Sequence, residues 1–340
     1  MEILKRKAVT CFIIIRYLFL FIIIAGLFGP LANAAVKNSN DNDKIILEGK
    51  RVLYLGDSIT QNGMYVSYAQ YYLESMFPGK QFDIICIGLS AETASGLSEP
   101  NSAYRRPCVF ERLDRALEKI KPEIVIACYG MNDGLYHPQS DERFKAYKDG
   151  IEKLVTKLKS INAQVILLTP TVFDPLPKKD IVQYENADEY GYRKPFYNYD
   201  NVLADYSNFI MNSNFDNVYE IDLHTPMKNY INEKRKSDSA FVFSPDGVHP
   251  SNLGHLFMAR EFLKGIGIEL EHVDLESELK RISSDSLFTL IANYRQTRSK
   301  GWLEYIGYTK SGKTVKSDEI GTTEKQINEF RDKINFIKKK

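Results

Sequence analysis

The sequence predicts an α/β fold built around a parallel sheet. Short apolar runs alternate along the chain with segments whose apolar residues recur at three- and four-residue spacing. The runs are apolar throughout, as expected of strands covered by helices on both sheet faces. Three of them end in polar, glycine-containing turns, "GDSIT", "IGLSAETASG" and "CYGMNDG".

The elements follow in order. Residues 52–55 are the first strand, and residues 65–77 a helix that stops at Pro78-Gly79, a breaker pair. Residues 82–87 are the second strand. A helix over 107–120 has proline in its first turn, where proline is tolerated. Residues 123–128 are the third strand. The clearest helix comes next, with Phe144, Tyr147, Ile151, Leu154, Val155 and Leu158 on one face. Residues 165–168 are a fourth strand and 218–221 a fifth, with a helix near 202–211 between them; residues 251–263 form the last helix of the unit. This alternation implies right-handed crossovers. In such sheets, sites form beyond the carboxyl ends of the strands. Two segments fall outside the alternation. Residues 174–200 are a tyrosine- and proline-rich insertion. Residues 267–340 are a C-terminal extension, helical around 275–295, with the only tryptophan, Trp302, in a hairpin-like stretch "WLEYIGYTKSGKTVK".

A chain of 340 residues has room for one large domain or two small ones. A net charge of +1 without a basic block carries no nucleic-acid-binding signature. Residues 1–34 read as an export signal: basic "MEILKRK", apolar "CFIIIRYLFLFIIIAGLFGPL", then Ala32 and Ala34 at cleavage-site spacing. The alternative is an uncleaved anchor, since about 20 apolar residues can span a bilayer. Arg16 and the Gly26 to Pro30 stretch favour cleavage. Either reading puts the domain outside the cytoplasm, secreted or periplasmic. Residues 35–49 read as a flexible leader. Beyond the signal, Cys86, Cys108 and Cys128 match no zinc spacing. Cys86 and Cys128, inside strand-like runs, read as buried thiols.

The turns hold the reactive candidates. A serine hydroxyl is a weak nucleophile unless a base lies within hydrogen-bond reach and donors await the oxyanion. Ser58 stands between a strand and a helix, where serine and aspartate are also ordinary caps. In "SPDGVHPS", Asp246 and His249 lie three residues apart. There a carboxylate can hold one imidazole nitrogen and leave the other free as a base. The same loop also reads as a helix entry, with Ser251 as cap and Asp246 in a turn. Gly88 ends the second strand and offers a backbone N–H. Asn132 offers a side-chain N–H₂, or simply forms a turn before Asp133-Gly134. His137, His224, His255 and His272 are assigned no role.

Gly56-Asp57-Ser58, Gly88, Gly130-x-Asn132-Asp133 and Asp246-x-x-His249 stand in the order of four sequence blocks. Over residues 50–266 the chain resembles the SGNH/GDSL hydrolase superfamily. The resemblance implies a flavodoxin-like three-layer α/β/α fold with five parallel strands in the order 2-1-3-4-5. It implies Ser58 as nucleophile, His249 as base and Asp246 as its orienter. It also implies an oxyanion hole from Ser58, Gly88 and Asn132, with no metal or cofactor. Ile87 stands where asparagine commonly precedes the second-block glycine. Thr60 breaks the G-x-S-x-G elbow and argues against the α/β-hydrolase fold. In the implied strand order, Cys86 and Cys128 flank the first strand about 9–10 Å apart, too far for a disulfide.

The expected activity is that of an exported serine esterase acting on an O-acyl, foremost O-acetyl, ester of a carbohydrate. Tyr184, Tyr190, Tyr192, Phe196, Tyr197 and Tyr199 are placed to stack on sugars or to pack an ordinary surface loop. Arg105-Arg106 suit either the pocket or structural ion pairs. A lipase or phospholipase, an O-acyltransferase of the same fold and a non-catalytic glycan-binding module are the alternatives.

Overall fold

The computed structural model describes residues 45–100 and 102–339. The expected export signal and most of the leader lie outside the described residues. The end of the leader does not behave as a flexible segment. Ile45 and Leu47 are buried in the core, Glu48 pairs with Lys80 at 2.5 Å, and the Gly49 N–H donates to the Gln81 carbonyl.

Strands β1 (Arg51–Gly56), β2 (Asp83–Cys86), β3 (Ile124–Cys128), β4 (Gln164–Leu168) and β5 (Val218–Ile221) form one sheet in the order β2-β1-β3-β4-β5. Every pairing in it is parallel. Val52, Leu53, Tyr54 and Leu55 are each fully buried, which is why β1 reads as an unbroken apolar run. The connecting helices are α1 (Ser58–Asn62), α2 (Met64–Met76), α3 (Leu113–Ile120), α4 (Asp141–Lys159), α5 (Tyr199–Met211), α6 (His224–Lys234) and α7 (Asn252–Gly265). Ser140 caps α4 by accepting from the Arg143 N–H at 3.4 Å. Tyr147, Ile151, Leu154, Val155 and Leu158 are buried on its inner face. Each such burial is worth about 1.5–3 kcal/mol. This is the fold that the alternation and the block order anticipate.

Some elements differ from the local pattern. The helix expected over 107–120 begins only at Leu113. Before it, Pro107 and Cys108 run alongside the turn after β2, with Pro107 accepting from the Thr93 N–H and Val109 donating to the Thr93 carbonyl. Trp302 lies in a helix, not a hairpin, and its indole N–H donates to Glu324 at 2.8 Å.

The C-terminal extension comprises α8 (Leu275–Ser283), α9 (Ser286–Ile306), a hairpin of β6 (Tyr308–Lys310) and β7 (Lys313–Val315), and α10 (Ile320–Lys338). Helix α9 packs on α2 and β2. The buried Arg298 guanidinium donates to the Ile84 carbonyl at 3.0 Å and pairs with Asp83 at 2.5 Å. The extension therefore covers the β2 edge of the sheet, which would otherwise present unpaired backbone groups. Cys86, Cys108 and Cys128 are all free thiols. Cys86 and Cys128 sit on the strands either side of β1, in register with Tyr54 and Gly56.

Candidate active site

The site is assembled at the carboxyl ends of β1, β2 and β3 and on the loop before α7. At the first of these, Asp57 caps α1: its carboxylate accepts the Ile59 N–H at 2.9 Å. Ser58 is thus relieved of the capping role. Its Oγ instead lies 2.8 Å from His249 Nε2.

The loop carrying His249 turns at Gly247, whose φ of +77° disfavours any other residue. A Cβ there would also lie 2.4 Å from the Asp174 carbonyl oxygen. Asp246 serves two purposes. Its Oδ1 accepts the N–H groups of Val248 and His249 at 3.0 and 2.7 Å and shapes the turn. Its Oδ2 lies 2.7 Å from His249 Nδ1. Ser251 caps α7 through the Gly254 N–H. The helix-entry reading and the catalytic reading of this loop are both satisfied by the same residues.

The electrostatics suit a base. The hydrogen bond that Asp246 accepts raises the His249 pKa above the ordinary imidazole value, against an opposing effect of partial burial. Burial alone would raise the Asp246 carboxyl. The His249 side chain and the two backbone N–H groups outweigh it and hold Asp246 well below the usual carboxylate range. Asp57 goes the other way. Its burial, with Asp133 and Glu92 nearby, lifts it to about 7 despite the Ile59 N–H and His249.

Asn132 is buried beside this relay. Its Oδ1 accepts from Arg106 Nη1 at 2.9 Å and from the Tyr136 hydroxyl at 3.2 Å. Its Nδ2 donates to Asp57 Oδ2 at 3.2 Å and to the Glu92 carbonyl at 3.4 Å. Gly88 stands elsewhere. A Cβ on it would lie 2.2 Å from the Gln61 nitrogen and 2.4 Å from the Thr60 carbonyl carbon, so glycine is needed for close approach to α1. Gly88 does not line the cavity that opens on Ser58; Ser90 and Ala91 from the same turn do. Ala91 is in the left-handed region at φ 64°, within a turn closed by the Glu92 N–H donating to the Leu89 carbonyl. Among the described residues no protein acceptor takes the Ala91 N–H. Nothing local marks an alanine for that conformation, and sequence reasoning passed over it in favour of the glycine.

The cavity has a volume of about 820 Å³ and is lined by Ser58, Asn132 and His249 at its base. Residues 188–193 of the insertion form part of its wall. Tyr190 and Tyr192 line it, whereas Phe196 and Tyr199 are buried in the core and Tyr184 stacks on Tyr197 with ring centroids 5.1 Å apart. The Tyr192 hydroxyl donates to Asp246 Oδ2 at 3.2 Å, a contact that sequence reasoning missed. Of the two arginines, Arg106 lines the cavity; Arg105 reaches back to the Gly96 carbonyl. His137 is also on the wall. His224 is bound to Asp200 and His255 stacks on Tyr65. No group of three or more His, Cys, Asp or Glu side chains among the described residues converges to hold a metal. Chemically, the arrangement offers a serine hydroxyl with an oriented base and hydrogen-bond donors nearby.

The GDSL-like Lipase/Acylhydrolase family matches residues 54–256. An acetylxylan esterase from Geobacillus stearothermophilus is 24% identical over 242 residues, covering 65% of this chain and 95% of that protein. Among solved structures, a gut microbial diltiazem-metabolizing enzyme superposes with a TM-score of 0.51 and 22% identity over 66% of this chain. This chain spans about half of that structure's length, 48%. A catalytic mutant of an acetylxylan esterase from Geobacillus stearothermophilus aligns with a TM-score of 0.47 and 22% identity, over 67% of this chain and 99% of its own.

Proposed function

The chain belongs to the GDSL-like lipase/acylhydrolase family and is a carboxylic ester hydrolase; on that premise we propose that it removes O-acetyl groups from a carbohydrate through an acyl-enzyme on Ser58. The observation that carries this reading is the unbroken relay from Asp246 to His249 to Ser58, with contacts of 2.7 and 2.8 Å, at the base of an open cavity. His249 Nε2 takes the hydroxyl proton as Ser58 Oγ attacks the ester carbonyl. Asp246 holds the imidazole orientation and stabilises the imidazolium. The tetrahedral oxyanion is met by the Ser58 N–H, the Asn132 Nδ2 and a third donor. The unpartnered N–H of Ala91, on the cavity, supports Ala91 in that role in place of Gly88. His249 then protonates the leaving sugar oxygen, and the C–O bond breaks. Water attacks the acetyl-serine, gives its proton to His249 and releases acetate; the proton returns to Ser58.

Two features favour a sugar as the alcohol. The cavity is far larger than a two-carbon acyl group needs, and its wall mixes Tyr190 and Tyr192 with Glu99, Asp188 and Arg193. Aromatic faces with convergent polar groups suit a pyranose ring. The acetylxylan esterase named above is consistent with that class. The test is acetate release from acetylated xylo-oligosaccharides and from a p-nitrophenyl ester series, by the wild type and Ser58→Ala. Turnover that falls with acyl length and vanishes in the variant supports the reading; activity retained by Ser58→Ala overturns it. The basic-then-apolar N-terminal segment supports an exported enzyme, which cell fractionation of the full chain tests.

A further inference from the structure

We propose that Arg106 is a positioning residue that fixes and polarises the Asn132 amide for oxyanion binding. The inference rests on the reading of Asn132 as an oxyanion donor. Arg106 is a cavity residue with its side chain only 10% exposed. Two of its nitrogens fork onto Glu99, with Nε 2.9 Å from Oε2 and Nη2 2.5 Å from Oε1. That pairing fixes the plane of the guanidinium. Its remaining arm, Nη1, is thereby aimed at Asn132 Oδ1 at 2.9 Å. The guanidinium carbon sits 5.8 Å from the Tyr136 ring, whose hydroxyl also reaches Oδ1.

This arrangement bears on the orientation of the amide. A tyrosine hydroxyl can donate or accept, so Tyr136 alone would tolerate either orientation of Asn132. A guanidinium can only donate. Arg106 therefore requires oxygen on its side, in concert with Asp57 Oδ2 and the Glu92 carbonyl, which accept from Nδ2 at 3.2 and 3.4 Å on the other. The same contact has an electronic consequence. A cationic donor on the amide oxygen draws density from the nitrogen and strengthens Nδ2–H as a donor. The benefit is greatest when charge develops on the substrate oxygen. Glu99 acts one step further out, by holding the guanidinium at the angle that serves Asn132.

The test is a double-mutant cycle with p-nitrophenyl acetate as substrate, a compound too small to need the rest of the cavity. Arg106→Gln should lower kcat by about 10- to 100-fold, less than the roughly 10²–10³-fold for removing an oxyanion donor outright. KM should change less than about threefold, and the acid limb of the pH profile, set by His249, should not move. In an Asn132→Ala background, Arg106→Gln should cause no further loss of kcat. Arg106→Lys, which keeps the charge and a donor, should recover part of the loss; thermal melts report whether each variant folds. An equal loss in both backgrounds, or a loss confined to KM, would overturn the positioning role. An Asn132→Ala enzyme with unchanged kcat would overturn the oxyanion assignment itself, and the inference with it, while Ser58→Ala tests the nucleophile separately.

Discussion

Replacing Asp246 by asparagine isolates what the carboxylate does for His249. The substitution keeps the shape, and the amide oxygen can still accept the Val248 and His249 N–H groups that form the turn. What is lost is the charge opposite Nδ1, now 2.7 Å away. General base catalysis by an oriented imidazole contributes about 10²–10⁴-fold. The Asp246 and His249 side chains are 42% and 40% exposed, so water can partly replace the lost acceptor. The expected fall in kcat is accordingly in the lower range, about 10²–10³-fold. The pH dependence gives the sharper test. His249 works as a base only when neutral, so kcat/KM of the wild type falls as pH drops through its raised pKa. Without the carboxylate that pKa is lower, and the acid limb moves to lower pH. The assay is kcat/KM for p-nitrophenyl acetate from pH 4.5 to 9, with Asp246→Asn beside wild type. A limb that stays in place or moves upward refutes the argument that Asp246 holds the proton on His249.

Two further predictions concern the backbone and the buried carboxylate. Gly88→Ala should destabilise by about 1–3 kcal/mol, the usual penalty for overpacking, because its Cβ would meet the Gln61 and Thr60 backbone. It should also lower kcat, since that backbone carries Ser58; a melting temperature equal to wild type would refute the close-approach role. The rise of the Asp57 carboxyl to about 7 means that the folded state binds a proton the unfolded chain has already lost. Stability should therefore decline between about pH 4 and pH 7, by up to about 4 kcal/mol from this one group. Asp57→Asn should flatten that part of a urea-midpoint profile. An unaltered profile in the variant would count against it.

The legible parts were those that local chemistry decides. Strands β1, β3 and β4 show as apolar runs because both faces are covered, whereas β5 carries Glu220 and is half-buried at Tyr219 and Glu220. Helix α4 shows because six residues repeat on one face. Asp57, Ser58, Asn132, Asp246 and His249 stand out because polar residues in glycine-containing turns after buried strands are conspicuous. The illegible parts depend on partners far along the chain. Cys108 is extended where it bridges to Thr93. Ile45 is buried because a surface for it exists between distant elements. Gly88 and Ala91 illustrate the difference most clearly. A glycine can mark a backbone N–H turned toward a ligand or a backbone passing close to its neighbour. Only the position of α1 distinguishes these, and it selects the second for Gly88. Ala91 reaches the cavity through a left-handed turn that its side chain gives no hint of.

The insertion links reactivity to substrate choice. Ser58 and Asn132 are drawn from turns at the ends of sheet strands and His249 from the loop before α7, so their mutual geometry follows from the fold. Part of the wall comes from residues 188–193, which belong to no strand or helix of the sheet unit. Tyr192 is in both. Its ring lines the cavity, and its hydroxyl reaches the carboxylate that orients His249. Lys178, at the start of the same insertion, lies 4.4 Å over that ring. Under the proposed function, a sugar pressed against Tyr192 would bear on Asp246 through one hydrogen bond. Changes in the insertion that alter which alcohol fits should also alter the relay, so trimming the loop should move specificity and turnover together.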